Sequence, residues 1–273
     1  MSDRMIFTIL GSGSSGGVPR ADGFWGACDP AEPRNRRSRC SFLVERISAD
    51  GRTTVLVDTS PDLRLQTAGA GVSAIDAVLY THDHADQAHG IDDLRAFWIT
   101  SRRRMPCYMD RATRAVLEAR FGYIFHSAPV YPAICEIVDL PPHHTAWTIE
   151  GAGGTIPVMT FDMDHGTVRS VGYRFGPVAG GGVAYCSDVV AFPPESEWAL
   201  EGLEVLIVDA LHERPTLSHA HVGLALEWAA RFKPQRTILT NLHTDLDYRT
   251  LAARLPSGVE PAFDGLRFET EMN

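Results

Sequence analysis

The chain has 273 residues, 44% of them apolar, which is enough to bury an ample core, and large mixed α/β folds often use this length as one domain, here residues 1–273. With 25 Lys and Arg against 34 Asp and Glu, the net charge is −9, which excludes broad nonspecific nucleic-acid binding because that depends on neutralising phosphates. The 5 cysteines (28, 40, 107, 135, 186) are scattered and contain no CxxC pair, so a reducing compartment is expected rather than a disulfide framework.

In chain order, Met1-Ser2-Asp3-Arg4-Met5 leads directly into a strand-like run at 5–10. No secretory apolar region with a cleavage site precedes that run, and no apolar stretch reaches membrane-spanning length, so a cytoplasmic protein without a membrane partner is expected. Gly11-x-Gly13-x-x-Gly16 matches the dinucleotide fingerprint formally, but its continuation, Gly17-Val18-Pro19-Arg20-Ala21-Asp22-Gly23, is a poor helix start and lacks a P-loop Lys. A tight turn that brings backbone close to the site fits better. Further strands are predicted near 41–47, 53–58, 77–80, 136–140, 155–161, 170–175, 182–186, 204–209 and 236–240. Helices are predicted near 91–100, 111–121 and 222–232; the last has an apolar face at helical spacing and is closed by Pro234. Segments 17–40 and 141–154 read as long loops. Many strands with few helices predict two packed sheets with helices on their outer faces. Arg34, Arg36, Arg37 and Arg39, and then Arg102, Arg103 and Arg104, are expected on a solvated surface, with phosphate attraction as the alternative.

The chemistry is concentrated in Thr81-His82-Asp83-His84-Ala85-Asp86-Gln87, which comes directly after the apolar run Ala77-Val78-Leu79-Tyr80. Two imidazoles at i, i+2, with a carboxylate two residues on, suit a divalent metal held where a buried strand emerges into a loop. Three more apolar runs end in comparable groups: Asp164-His165-Gly166, Cys186-Ser187-Asp188 and Asn241-Leu242-His243. Several strands would then deliver ligands to one rim. The stretch from Asp209 to His221 adds His212, His219 and His221 without a helical pattern, while His126, His143 and His144 lie far from any motif and are expected at the surface.

This order of motifs resembles the metallo-β-lactamase superfamily, whose signature is His-x-His-x-Asp-His followed by His, Asp and His. The segments Gly90-Ile91-Asp92-Asp93-Leu94-Arg95 and Leu10-Gly11-Ser12-Gly13-Ser14-Ser15-Gly16-Gly17-Val18-Pro19 look like the branch that includes phosphoribosyl 1,2-cyclic phosphate phosphodiesterases. The resemblance implies an αββα sandwich of two mixed β-sheets and one or two divalent ions, zinc or manganese. It implies a first metal position at His82, His84 and His165 with Asp188 bridging. A second position would use Asp86, Asp188 and His243. Two residues depart from the pattern: Gln87 replaces an imidazole, and Asn241 stands where a histidine is usual. Strand alternation would put Asn241 and His243 on one face, so either could reach the metal, and His89 could compensate if a helix begins beside it. Asp58 is expected to orient the ligand loop together with Thr81, and Asp92 and Asp93 to favour a helix N-terminus. The resemblance further implies catalytic roles for Asp86 and for His219 beside Ser218, with His219 and His221 facing substrate. The activity implied is phosphodiester hydrolysis of a small cyclic phosphate or nucleotide-like phosphoribosyl compound, with the ion making hydroxide available from bound water. Hydrolysis of another ester or thioester, or nucleotide and metal binding without turnover, are the alternatives.

Overall fold

A computed structural model describes residues 3–177 and 180–271. The first sheet begins with β1 (Arg4–Gly11), β2 (Ser41–Ile47), β3 (Arg52–Val57), β4 (Ala77–Leu79), β5 (Met105–Met109) and β6 (Cys135–Asp139). The second holds β7 (Trp147–Ile149), β8 (Ile156–His165), β9 (Val168–Phe175), β10 (Val183–Cys186), β11 (Val205–Asp209), β12 (Arg236–Thr240) and β13 (Val259–Pro261). The chain then returns to the first sheet as β14 (Arg267–Glu271), which pairs with β1. The spatial orders are β14-β1-β2-β3-β4-β5-β6 and β13-β12-β11-β10-β9-β8-β7. Each sheet is antiparallel over one half and parallel over the other, the change falling at β3 and at β10.

Alternation along the strands builds the layers. Phe7, Ile9, Phe42, Val44, Val55 and Val57 meet Val171, Tyr173, Phe175, Tyr185 and Ile207 between the sheets. Their neighbours point outward under helices. Leu43, Leu56, Val78 and Cys107 pack with Leu63 of α1 (Leu63–Gly69) and Leu117 of α4 (Arg111–Phe125), beside α2 (Ala85–Ala88) and α3 (Arg95–Ser101). On the other side Phe161, Leu206 and Leu239 pack with Trp228 of α5 (Val222–Phe232) and Leu251 of α6 (Tyr248–Ala252). The fold is the expected αββα sandwich of two mixed sheets.

The differences from the sequence-based expectations are local. The helix expected over 91–100 is a 3₁₀ turn, Ile91–Leu94, leading into α3. Asp92 and Asp93 occupy that turn, and Asp92 pairs with Arg95 at 3.0 Å. The segment expected as a loop at 141–154 contains β7, a three-residue edge strand. β5, β13, β14, α1 and α6 went unforeseen because each is only three to seven residues long and takes its stability from the neighbour it pairs with or packs on.

The glycine-rich turn after β1 is anchored by a residue far away in sequence. Asp264 accepts hydrogen bonds from the backbone and hydroxyl of Ser12 (2.9 and 2.8 Å) and of Ser38 (2.7 and 2.6 Å). Glycine is required at position 11 by close approach, since a Cβ there would lie 1.9 Å from the Arg39 carbonyl oxygen.

Phe42 and Tyr185 stack across the inter-sheet layer with ring centroids 4.8 Å apart and planes at 2°. Phe42→Ala is expected to lower the unfolding free energy by about 3–5 kcal/mol, as for large aromatic truncations in closed cores. Urea unfolding measures this, and a change below about 1 kcal/mol would refute the view that this stack joins the sheets.

Candidate metal centre

The sheets open at one rim, where the ends of β3, β4, β8, β10, β11 and β12 deliver Asp58, His82, His165, Asp188, Asp209 and Asn241. Three of these break away from their strands with left-handed backbone: Asp58 (φ 62), Asp188 (φ 54) and Asn241 (φ 61). Asp and Asn tolerate that conformation better than other non-glycine residues.

Asp58 is wholly buried and accepts the Thr81 backbone N–H and the Thr81 hydroxyl, both at 2.8 Å. Burial pushes its carboxyl up to about 8, against the pull of those two bonds and with the charge of Asp86 adding to the rise. The Thr81 hydroxyl also lies 3.0 Å from His82 Nδ1. The proton order that satisfies this chain runs from His82 Nδ1–H to Thr81 to Asp58, and it leaves the lone pair of His82 Nε2 free. That nitrogen is buried without a partner. His165 is oriented in the same manner, with Nδ1 donating to the Ser218 carbonyl at 2.7 Å and Nε2 left 3.4 Å from His84 Nδ1. The rings of His82, His84 and His165 lie 4.5–5.1 Å apart, and one nitrogen from each falls within 4.8 Å of the others. Burial holds His82 well below the usual imidazole range, and nearby His84 and His165 add to this. Burial likewise takes His165 down to about 4, against the Ser218 carbonyl and with His219 and His84 assisting. Three imidazoles with converging ring nitrogens suit a borderline-soft cation. The orphaned Nε2 of His82 is the atom that most needs one.

Asp188 is 2% exposed; one oxygen accepts the Gln87 amide N–H at 2.9 Å, and the other lies 4.0 Å from His165 Nε2 and 3.8 Å from His219 Nδ1. Burial raises its carboxyl well above the usual range; the charges of Asp86 and Asp209 add to this and His219 opposes it. Such a carboxylate is stabilised by a cation beside it. Gln87 is wholly buried, and its Oε1 has no partner. At the position of the motif's last imidazole, then, an amide already occupies one oxygen of Asp188.

His219 stands against the trio, 4.6 Å from His165 between ring centroids, with Nδ1 bound to Asp209 Oδ2 at 2.8 Å. Burial depresses its basicity, but the hydrogen bond and charge of Asp209, with Asp188 and Asp86, outweigh that and raise it to about 9. The Asn241 amide nitrogen is 3.2 Å from the same ring nitrogen. Asp209 has no role in the sequence-based expectations, although its signal is that of Asp188: an apolar strand, Val205–Asp209, ending in a carboxylate.

Asp86, in the first turn of α2, joins none of these ligand groups but acts on Asp188 and His219 through its charge. It lines a cleft of about 590 Å³ together with Gly16, Arg20 and Arg39. His221 lies just before α5, with Nε2 beside Gly223.

Other expectations change. β12 ends at Thr240 and Asn241 is left-handed, so alternation stops there and His243 does not share the face of Asn241. His243 instead pairs with Asp245 at 2.9 Å, next to His212. α2 ends at Ala88, and His89 turns its ring onto Phe121 at 5.4 Å rather than toward the histidine trio. Arg37 belongs to the interior rather than to a solvated patch. It is 2% exposed and binds the carbonyls of His243 and Leu246. Arg34 pairs with Glu32 at 2.7 Å and Arg39 with Asp62 at 3.0 Å. All five cysteines are free and buried. No helix among the described residues is long and apolar enough to cross a membrane.

Residues 53–241 match the model of the beta-lactamase superfamily domain. A solved structure described as a new diphosphatase from the PhnP family is 32% identical, with a TM-score of 0.82, and the match covers 98% of this chain and 99% of that one. Zn(2+)-bound PqqB from Methylobacterium extorquens shares the fold at 17% identity and a TM-score of 0.72, covering 96% of this chain and 99% of that one. An octanoyltransferase from Porphyromonas gingivalis (strain ATCC BAA-308 / W83) is 29% identical over 266 residues, 94% of this chain but 50% of its own length. The chain thus spans about half of that curated relative. The chain belongs to the metallo-β-lactamase superfamily, as a divalent-metal hydrolase fold with a PhnP-family diphosphatase among its relatives.

Proposed function

We propose that the protein hydrolyses a phosphate ester or anhydride bond in a small phosphorylated compound, most specifically a cyclic phosphate or a nucleotide-like phosphoribosyl substrate. The observation that carries this reading is the histidine trio, with its orphaned His82 Nε2, set against the Asp209–His219 pair. The name of the diphosphatase relative supports the bond type. His82, His84, His165 and Asp188 would hold one divalent ion, zinc or manganese. Such an ion supplies Lewis-acid activation of water and neutralises phosphoryl charge.

The remaining work falls to the chain. Asp209 fixes His219 through Nδ1, which leaves Nε2 as the atom able to donate a proton to the leaving oxygen as its bond to phosphorus breaks. Asp86, on the wall of the cleft, orients the attacking water and receives its proton. Arg20 and Arg39 line the same cleft, each paired with a carboxylate, Asp22 and Asp62. For a second ion the residues fit less well: Gln87 already donates to Asp188, and Asn241 replaces an imidazole.

Hydrolysis of an acyl ester or thioester is a second reading, favoured by the octanoyltransferase name of the half-matching relative. A panel of cyclic phosphodiesters, nucleoside diphosphate compounds and acyl thioesters, assayed with zinc and with manganese, separates the two. Turnover confined to thioesters would overturn the phosphate reading, and metal binding without any turnover would identify a non-catalytic member.

Three substitutions test the assignments. His84→Ala is expected to lose metal and turnover together, and full metal content at limiting free metal would remove His84 from the ligand set. His219→Ala should keep its metal while turnover falls about 10²–10⁴-fold, the range for acid–base assistance. Metal loss would make His219 a ligand, and unchanged turnover would leave it without a catalytic part. Gln87→His should tighten zinc binding beside Asp188 in a titration of apo-protein; two equally tight zinc sites in the unmodified protein would contradict the role given to Gln87.

A further inference from the structure

A second set of metal-ligating groups lies outside the centre described above. His212 Nδ1 is 3.0 Å from both oxygens of Asp245, and His243 Nδ1 is 2.9 Å from Asp245 Oδ1. The two rings are 4.2 Å apart at 60°, and one ligand atom from each of the three residues falls within 4.8 Å of the others. A tetrahedral ion with bonds of about 2.0–2.1 Å has ligand–ligand edges of roughly 3.3 Å. The observed carboxylate–imidazole separations are a few tenths of an ångström shorter, so small side-chain rotations would open the trio onto a cation.

The backbone carrying these groups is braced on every side. His243 N–H donates to the Leu211 carbonyl at 3.2 Å, and the His212 carbonyl accepts Val222 N–H at 2.8 Å. Arg37 ties down the carbonyls of His243 and Leu246 at 3.3 and 2.7 Å, and Ala27 N–H holds the Thr244 carbonyl at 2.8 Å. A ligand set held this firmly loses little freedom on binding. The side chains of His212, His243 and Asp245 are 15%, 31% and 40% exposed, which leaves room for a fourth ligand from solvent. The nearby cation Arg20 is neutralised by Asp22 at 2.8 Å.

We propose that His212, His243 and Asp245 form a separate, solvent-open binding site for one zinc-like divalent cation. Its donor set of two imidazoles and a carboxylate suits zinc, cobalt or nickel better than magnesium or calcium. The site is independent of the phosphodiesterase reading, because no residue of the histidine trio takes part in it.

The test is cobalt(II) titration of the full-length apo-protein, followed by calorimetry and by the visible ligand-field bands. Relative to the unmodified protein, His243→Ala and Asp245→Asn should each lose one bound equivalent, or weaken it at least tenfold. His84→Ala should lose a different one, and the double variant His84→Ala, His243→Ala should lose both. Asp245→Asn keeps side-chain shape, so it decides the matter if His243→Ala fails to fold. Equal stoichiometry and affinity in Asp245→Asn and the unmodified protein would overturn the proposal and leave a hydrogen-bonded His–Asp–His cluster. Failure of the main-site assignment would show separately, in His84→Ala alone.

Discussion

Two hydrogen bonds from one residue to one buried carboxylate hold the centre in place. Thr81 gives its backbone N–H and its hydroxyl to Asp58, and the same hydroxyl fixes the ring of His82. Asp58 ends one strand and Thr81 lies just past the end of the next, so the clamp joins neighbouring strands of the first sheet where both leave it. The same segment is tied to the opposite sheet, which carries His165, by the Val171 N–H on the Thr81 carbonyl at 2.9 Å and the Tyr173 hydroxyl on the Tyr80 carbonyl at 2.6 Å. Partners behind the ligands in this way set ring orientation and basicity as much as the ligands do.

The centre gathers groups that would not be buried together for stability alone. Imidazole nitrogens face one another, and Asp188 and Asp209 lie out of solvent with only partial compensation. A cation relieves both kinds of cost, whereas Gln87 relieves only part, by donating to one oxygen of Asp188. The arrangement therefore stores unsatisfied polarity, and the surrounding core supports it. The Phe42–Tyr185 stack and the aliphatic layer beside it lie directly behind the strand ends that carry these groups.

Much of this was legible in the sequence, for a physical reason. A ligand at a strand end is announced by the strand before it, and the apolar runs ahead of His82, His165 and Asp188 were long enough to read. Asp209 shows the same pattern without standing out, because its partner His219 lies ten residues on, in a segment without periodicity. The choice between Asn241 and His243 was not legible, because alternation holds only while the strand does, and a left-handed turn at Asn241 is a backbone event without a hydrophobic signature. The short elements β5, β7, β13 and β14 owe their form to partners distant in sequence, so no window of local residues could show them.

Asp264 fastens Ser12 and Ser38, which precede it by 252 and 226 residues. The turn also grips nearer residues, Gly13 N–H donating to the Ser38 carbonyl and the Gln66 amide to the Ser38 hydroxyl, both at 2.8 Å. Asp264 adds a tie from the connection between β13 and β14, so a disturbance at that distant connection reaches the segments that flank the cleft beside Asp86 through Ser12 and Ser38.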